Sequence, residues 1–354
     1  MTKLSAPRTP VLHVANIAVR LVAGIAATLL VACQHEPPED APLRIEPPTG
    51  STQATPPQAP PTDSGGTPHA RFVPADRPIP ANDFGKVVQL GRKIFENPSR
   101  YAGQYVGNDL RCSNCHLDAG RRVGSAPLWA AYVSYPAYRA KNHHVNTFEE
   151  RLQGCFRFSM NGKSPPLGDP VLVALESYAY WMAQGAPLDP NIAGRGYPRP
   201  AQPALSPDYE RGARVYARTC ALCHGDNGQG QRANDGSPAF PALWGADSFN
   251  WGAGMGSITN AASFIKANMP LGRGGTLSDQ DAWDVALYMD SHERPQDPRY
   301  TGSVADTRSK FHAGDDWMYG KSVNGHVLGS DSVAPGLNPA RRAPNTAPQP
   351  RQTH

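Results

Sequence analysis

The sequence predicts an all-α protein built as two tandem helical domains, with a proline-rich linker before them and an irregular tail after them. Three observations predict it. Two amphipathic starts resemble each other, Gly91-Arg92-Lys93-Ile94-Phe95 and Gly212-Ala213-Arg214-Val215-Tyr216, and each precedes a Cys-x-x-Cys-His motif. Each half closes with a second apolar helix, and proline-rich stretches set the halves apart. A chain of 354 residues has room for two ordinary domains.

Residues 1–32 carry Lys3, Arg8 and Arg20, no acid, and an apolar run from Leu21 to Ala32, which reads as an export signal. The run falls short of the roughly 20 apolar residues that cross a bilayer, so a permanent transmembrane helix is the weaker alternative. Leu30-Val31-Ala32-Cys33 resembles a bacterial lipobox, which would make Cys33 the lipidated first residue of the mature chain. Gln34 follows it, a pattern that implies sorting to the outer membrane, with the folded part in the periplasm. The alternative is ordinary cleavage nearby with Cys33 incidental. The formal charge of +4, less the three basic residues of the signal, leaves +1. A nearly neutral chain gives no reason to expect nucleic-acid binding.

From Gln34 to Asn82 there are 13 prolines in 49 residues and no apolar period, so residues 33–82 read as a disordered linker. Order begins near Asp83, where Phe84, Val87, Val88, Gly91, Ile94 and Phe95 recur at helical spacing until Pro98. A second start follows Ser206-Pro207, read as N-cap and first turn. The closing helices run over Val171 to Gln184 and Ser278 to His292, the second opened by Ser278 and Asp281. Glycines at matching positions point to close crossing of each helix pair. The domains are expected at 83–190 and 205–295, joined by a linker at 191–204. Residues 296–330 are expected to drape over them, and the end of the 296–354 tail to be disordered.

Of six cysteines, four lie in the two motifs and one in the lipobox, leaving only Cys155 and no pair for a disulfide. In each motif two thiols can add to haem vinyl groups, and the following histidine places an imidazole beneath the iron. The expected cofactors are two covalently bound haem c groups, on Cys112, Cys115 and His116 and on Cys220, Cys223 and His224. Zinc would want a second ligand pair nearby, and a thioredoxin-type motif has no need of the histidine. The domains are therefore expected to be of the small helical cytochrome c type.

For the second haem Met269 stands where such folds supply a methionine, with Met255 as competitor and core filling as the bland alternative for both. For the first, only Met160 is near the corresponding place. Instead a helix opening at Thr147, with Glu150 completing a capping box, carries Arg151, Cys155 and Ser159 four apart on one face. Cys155 is then either a thiolate ligand, stabilised by iron and Arg151, or a buried structural thiol. His143 and His144 are further candidates, more simply read as surface.

These residues resemble the thiosulfate dehydrogenases, di-haem cytochromes that join two thiosulfates into tetrathionate. The likeness covers about residues 83–295 and is most specific from Tyr138-Arg139-Ala140 through Val145-Asn146-Thr147 to Arg151-Leu152-Gln153-Gly154-Cys155 and Ser159-Met160-Asn161-Gly162. It implies that Cys155, opposite His116, ligates a catalytic first haem and carries substrate sulfur. It implies too that Arg151 and Ser159 hold substrate oxygens, and that a second haem on His224 and Met269 passes electrons outward to a small periplasmic cytochrome c or similar acceptor. Some members place a lysine before that methionine and exchange ligands; Asn268 stands there in this chain, which favours plain His/Met ligation.

The charge pattern agrees. Two thiosulfate dianions repel by about 16 kcal/mol at close range, taking about 4 kcal/mol per unit pair at intermediate dielectric. A site that joins them must be cationic, and Arg139, Lys141, Arg151 and Arg157 flank Cys155. Lys141 and Arg157, taken singly, read as solvated surface charge. The competing classes are a di-haem electron carrier without a substrate and a di-haem peroxidase. The same site run backwards would reduce tetrathionate.

Overall fold

The computed structural model describes residues 72–75, 77–189 and 192–336, all of which fall in one unit, Gly65–His354. The signal, the lipobox with Cys33, most of the proline-rich linker and the end of the tail lie outside them. No helix among the described residues is long and apolar enough to cross a membrane.

Helix α1, Asp83–Glu96, begins where the Asn82 side chain accepts from the Gly85 N–H at 2.9 Å and ends before Pro98. A short hairpin follows, β1 Ala137–Arg139 against β2 His144–Asn146. Helix α2, Phe148–Gly154, starts on the expected capping box: Glu150 N–H donates to Thr147 Oγ1 at 3.2 Å and Thr147 N–H to Glu150 Oε2 at 2.7 Å. It is shorter than the sequence suggested, because Cys155–Ser159 continue it as one π-helical turn in which Met160 N–H bonds Cys155 O at 2.9 Å. Such turns recur at functional sites.

Helix α3, Pro170–Ala183, crosses α1 so closely that a Cβ at Gly91 would stand 2.0 Å from the Ala174 carbonyl oxygen and 2.8 Å from Tyr178 Cβ. The second pair repeats this. Helix α4, Tyr209–Thr219, is capped by Asp208 rather than Ser206, because the Asp208 carboxylate reaches the Arg211 N–H at 2.8 Å while Ser206 gives only its carbonyl to the Arg211 guanidinium. Helix α5, Ile258–Asn268, leads to Met269, and α6, Asp279–Asp290, is capped by Ser278 as expected. At the α4/α6 crossing a Cβ on Gly212 would lie 2.2 Å from the Asp284 carbonyl oxygen and 2.7 Å from Tyr288 Cβ. Arg211 locks this crossing with a two-pronged pair to buried Asp284, Nε to Oδ2 at 2.7 Å and Nη2 to Oδ1 at 2.9 Å.

The tail does lie over the helical body, but it is more regular than expected. Helix α7, Val304–Phe311, precedes fully buried Tyr319, whose ring meets Trp251 edge to face at 5.4 Å. Asp316 anchors the start of α5 through Thr259 N–H at 2.8 Å, Thr259 Oγ1 at 2.6 Å and the Ser257 hydroxyl. The Pro, Gly and Ser content that suggested drape instead supplies turns between aromatic anchors. The connection between the halves is pinned too: Gly194 and Gly196 carbonyls accept from the Gly124 and Ala126 N–H groups at 2.9 and 3.2 Å.

Candidate functional site

Cys112–Cys115 form a single helical turn whose start is closed by Asn114 Oδ1, accepting from the Arg111 N–H at 2.7 Å. His116 follows with Nδ1 2.6 Å from the Ala126 carbonyl. In the second motif His224 Nδ1 stands 3.0 Å from the Pro241 carbonyl. Burial holds both imidazoles below their ordinary pKa, hence neutral. A carbonyl can only accept, so each Nδ1 carries the proton and each Nε2 keeps a free lone pair, the arrangement a metal-ligating histidine uses. Burial also pushes the Cys115 and Cys220 thiols up to about 11. The motif cysteines form no disulfide, and among the described residues no group of three His, Cys, Asp or Glu is gathered to hold a bare metal ion. Two thiols and one imidazole per turn therefore fit haem c and do not fit zinc.

The second motif opens into an apolar cavity of about 240 Å³ whose walls include His224, Phe264, Met255 and Met269. Both methionines sequence reasoning weighed thus border it, Met269 from the C-terminal end of α5. Ser113, Asn114 and Cys115 line the same cavity, so the first motif forms part of the second site's wall.

Cys155 opens the π-helical turn, half-buried, and Arg151 Nη1 donates to its sulfur at 2.9 Å. Electrostatic coupling to Cys155 is the main cause holding the Arg151 guanidinium above its usual pKa. After burial, coupling to Cys155 also raises both Cys112 and Cys115, so that sulfur lies within electrostatic reach of the first motif. Arg139, on β1, donates to the Tyr135 hydroxyl, and Tyr135 in turn acts on Arg151. Ser159 ends the turn exposed to solvent, its carbonyl accepting from buried Asn108 at 2.9 Å. His143 and His144 stand exposed on the hairpin, bonded to Tyr138 and Glu150. Met160 is buried in the core.

Lys141 departs from the surface reading. Its residue is exposed as a whole, yet the ammonium turns inward over the Phe158 ring at 3.9 Å and donates to the Gly252 carbonyl. Burial of that end, then repulsion from Arg299 and Arg151, pushes its pKa down to about 7. Arg157 remains exposed, 5.4 Å from the same ring. Sequence reasoning missed Arg299, which approaches Phe158 at 5.1 Å and is held by Asp297, itself bonded to buried His312 at 2.8 Å. It also missed Tyr197, Ser125 and Asn108. Their partners lie far along the chain or in turns without a motif, so no local pattern marks them.

The paired helices, the two Cys-x-x-Cys-His turns and the neutral proximal imidazoles define a helical protein of the cytochrome c type, with haem c as its cofactor. The family model for subunit III of cbb3-type cytochrome c oxidase matches residues 207–289. The chain is 62% identical over 261 residues to a thiosulfate dehydrogenase of Thiomonas intermedia, covering 73% of this chain and 83% of that one. It is 55% identical over 258 residues to one of Stutzerimonas stutzeri, covering 72% and 84%. Among solved structures, thiosulfate dehydrogenase (TsdBA) from Marichromatium purpuratum, in its as-isolated form, superposes with a TM-score of 0.71 at 49% identity. That match covers 75% of this chain and 59% of the longer one. The chain belongs to the thiosulfate dehydrogenase family.

Proposed function

We propose that the chain oxidises two thiosulfates to tetrathionate and passes the two electrons to an external acceptor. The observation that carries this reading is the Cys155 sulfur, 2.9 Å from the Arg151 guanidinium and within electrostatic reach of the first motif, with Lys141 in turn within electrostatic reach of Arg151 and Arg139. An electron carrier needs no such thiol, and the relatives named above are thiosulfate dehydrogenases.

Two haems c fit the donor sets, covalently joined to Cys112 and Cys115 and to Cys220 and Cys223. His116 and Cys155 would hold the iron of the first, His224 and Met269 that of the second. Bound there, haem would supply one-electron acceptor chemistry, with a thiolate donor lowering the potential at the first site and a methionine donor raising it at the second. The first helical domain, 83–190, holds the catalytic site, the linker 191–204 joins the two, and 205–295 holds the exit.

The residues' own work follows from their charges. Arg151 donates to the Cys155 sulfur and, with Arg139, Lys141 and the Ser159 hydroxyl, receives the sulfonate oxygens of thiosulfate. The thiolate forms a bond to the terminal sulfur of one thiosulfate, giving a Cys–S–S–SO₃⁻ adduct as two electrons leave. The terminal sulfur of a second thiosulfate then attacks the sulfane sulfur of that adduct, breaking its bond to cysteine. Tetrathionate departs, the thiolate is restored, and no proton is consumed. Run backwards, the same steps reduce tetrathionate.

The export signal and the lipobox support a periplasmic protein tethered to the outer membrane at Cys33, and a small cytochrome c is the natural acceptor. The test is anaerobic reduction of an artificial acceptor by thiosulfate. One tetrathionate should appear for every two thiosulfates and two electrons. Haem reduction without tetrathionate would mark an electron carrier, and turnover of peroxide a peroxidase.

A further inference from the structure

Behind His116 the turn of residues 122–126 is held in an unfavourable shape. Ala126 takes a φ of 46°, in the left-handed region that non-glycine residues avoid, and so presents its carbonyl to the imidazole at 2.6 Å. Such a conformation persists only where its surroundings impose it. Ser125 supplies part, its hydroxyl donating to Cys115 O at 3.0 Å and accepting from Leu117 N–H at 3.2 Å. The rest comes from elsewhere in the chain. Gly194 and Gly196 carbonyls hold the Gly124 and Ala126 N–H groups. The Tyr197 hydroxyl reaches the same Cys115 carbonyl at 3.4 Å. Asn268, only 3% exposed, directs its amide to Gly124 O at 3.4 Å and to Phe264 O at 3.1 Å. Tyr197 also meets Phe264 edge to face at 5.4 Å, so both anchors converge on helix α5, which ends beside Met269.

We infer that Asn268 and Tyr197 are positioning residues for His116: Asn268 holds the 122–126 turn at the Gly124 carbonyl and Tyr197 holds the Cys115 carbonyl to which Ser125 ties that turn, so that the Ala126 carbonyl stays on Nδ1. This rests on the reading of His116 as a haem ligand. A histidine that donates Nδ1–H to a carbonyl is the more basic ligand through Nε2. A more basic ligand favours the higher oxidation state and keeps the potential low. Helix α5, which ends beside the second centre's methionine, thereby sets the potential of the first centre, and loosening the turn raises it.

The test is a potentiometric titration of the full-length holoprotein, resolving the two haems by their spectra, for wild type, Asn268→Leu and Tyr197→Phe. Haem content is measured in each. Both variants should keep two haems and shift the first centre's potential upward, while Tyr197→Phe leaves the second where it was. Tyr197→Phe keeps the ring against Phe264 and loses only the hydroxyl, so it decides the matter should Asn268→Leu fail to fold. Two haems with an unmoved first potential in Tyr197→Phe, or a shift confined to the second haem in Asn268→Leu, would overturn the inference and leave the ligand assignment intact. A wild type without haem on Cys112 and Cys115 would overturn both.

Discussion

Replacing Arg151 by leucine removes the hydrogen-bond donor that stands 2.9 Å from the Cys155 sulfur. A hydrogen bond to a charged group contributes about 1.5–3 kcal/mol, and one decade of rate corresponds to about 1.4 kcal/mol. The loss at the thiolate alone is thus about 10- to 150-fold in kcat/KM. If Arg151 also holds a sulfonate oxygen of the substrate, a second bond of the same kind goes with it, and the fall reaches about 10²- to 10⁴-fold. Arg151→Lys keeps the charge but not the planar fork and should recover only part. The assay is anaerobic stopped-flow reduction of an artificial acceptor over a range of thiosulfate concentrations, with haem content measured alongside to show that the first motif is still loaded. An Arg151→Leu protein with two haems and a kcat/KM within about twofold of wild type would refute the reasoning.

Other outcomes follow from the same geometry. Lys141, with its pKa pushed down to about 7, loses its charge as pH rises through that value, so KM for thiosulfate should climb above neutrality and Lys141→Met should flatten the climb. Between about 7 and the lysine's usual 10.5 the unfolded chain binds the extra proton, so this group's contribution to stability improves with pH across that window while substrate affinity worsens. A thiosulfate KM that does not change with pH would remove Lys141 from the site. Gly212→Ala forces a methyl to within 2.2 Å of the Asp284 carbonyl, and overpacking of this kind costs about 1–3 kcal/mol, or roughly 2–12 °C in Tm by calorimetry. An unchanged Tm would mean that α4 and α6 cross less closely. Met269→Gly should lower the second centre's potential and slow turnover, whereas Met255→Gly should leave the potential near wild type; the reverse pattern would make Met255 the ligand.

What could be read from the sequence was what is local in it. The Cys-x-x-Cys-His turns, the Thr147/Glu150 box and the Arg151 to Cys155 spacing are each decided within four residues, and Arg151 indeed meets that sulfur. The glycines at 91 and 212 could be read because a helix that must let another backbone through shows it by a missing side chain. The Asp208 cap was missed by two residues, since Ser206-Pro207 is the stronger local signal and only the contact of Asp208 with the α4 N-terminus decides otherwise. Lys141 looked like surface because its neighbours are polar; its inward turn depends on Phe158 and Gly252, far along the chain. Arg299, with Asp297 and His312 behind it, comes from a tail whose composition suggested no structure. Tyr197 sits in what read as a plain connector, and its partners are Cys115 and Phe264 on either side of it in sequence.

The account turns on the sulfur of Cys155, and the most direct measurement replaces it. In Cys155→Gly the thiosulfate-dependent rate of acceptor reduction under anaerobic conditions should vanish while both haems remain, the second haem's spectrum stays as in wild type, and the first loses its thiolate signature. A glycine variant that still converts thiosulfate to tetrathionate would contradict the covalent role of this residue, and with it the proposed chemistry of the site.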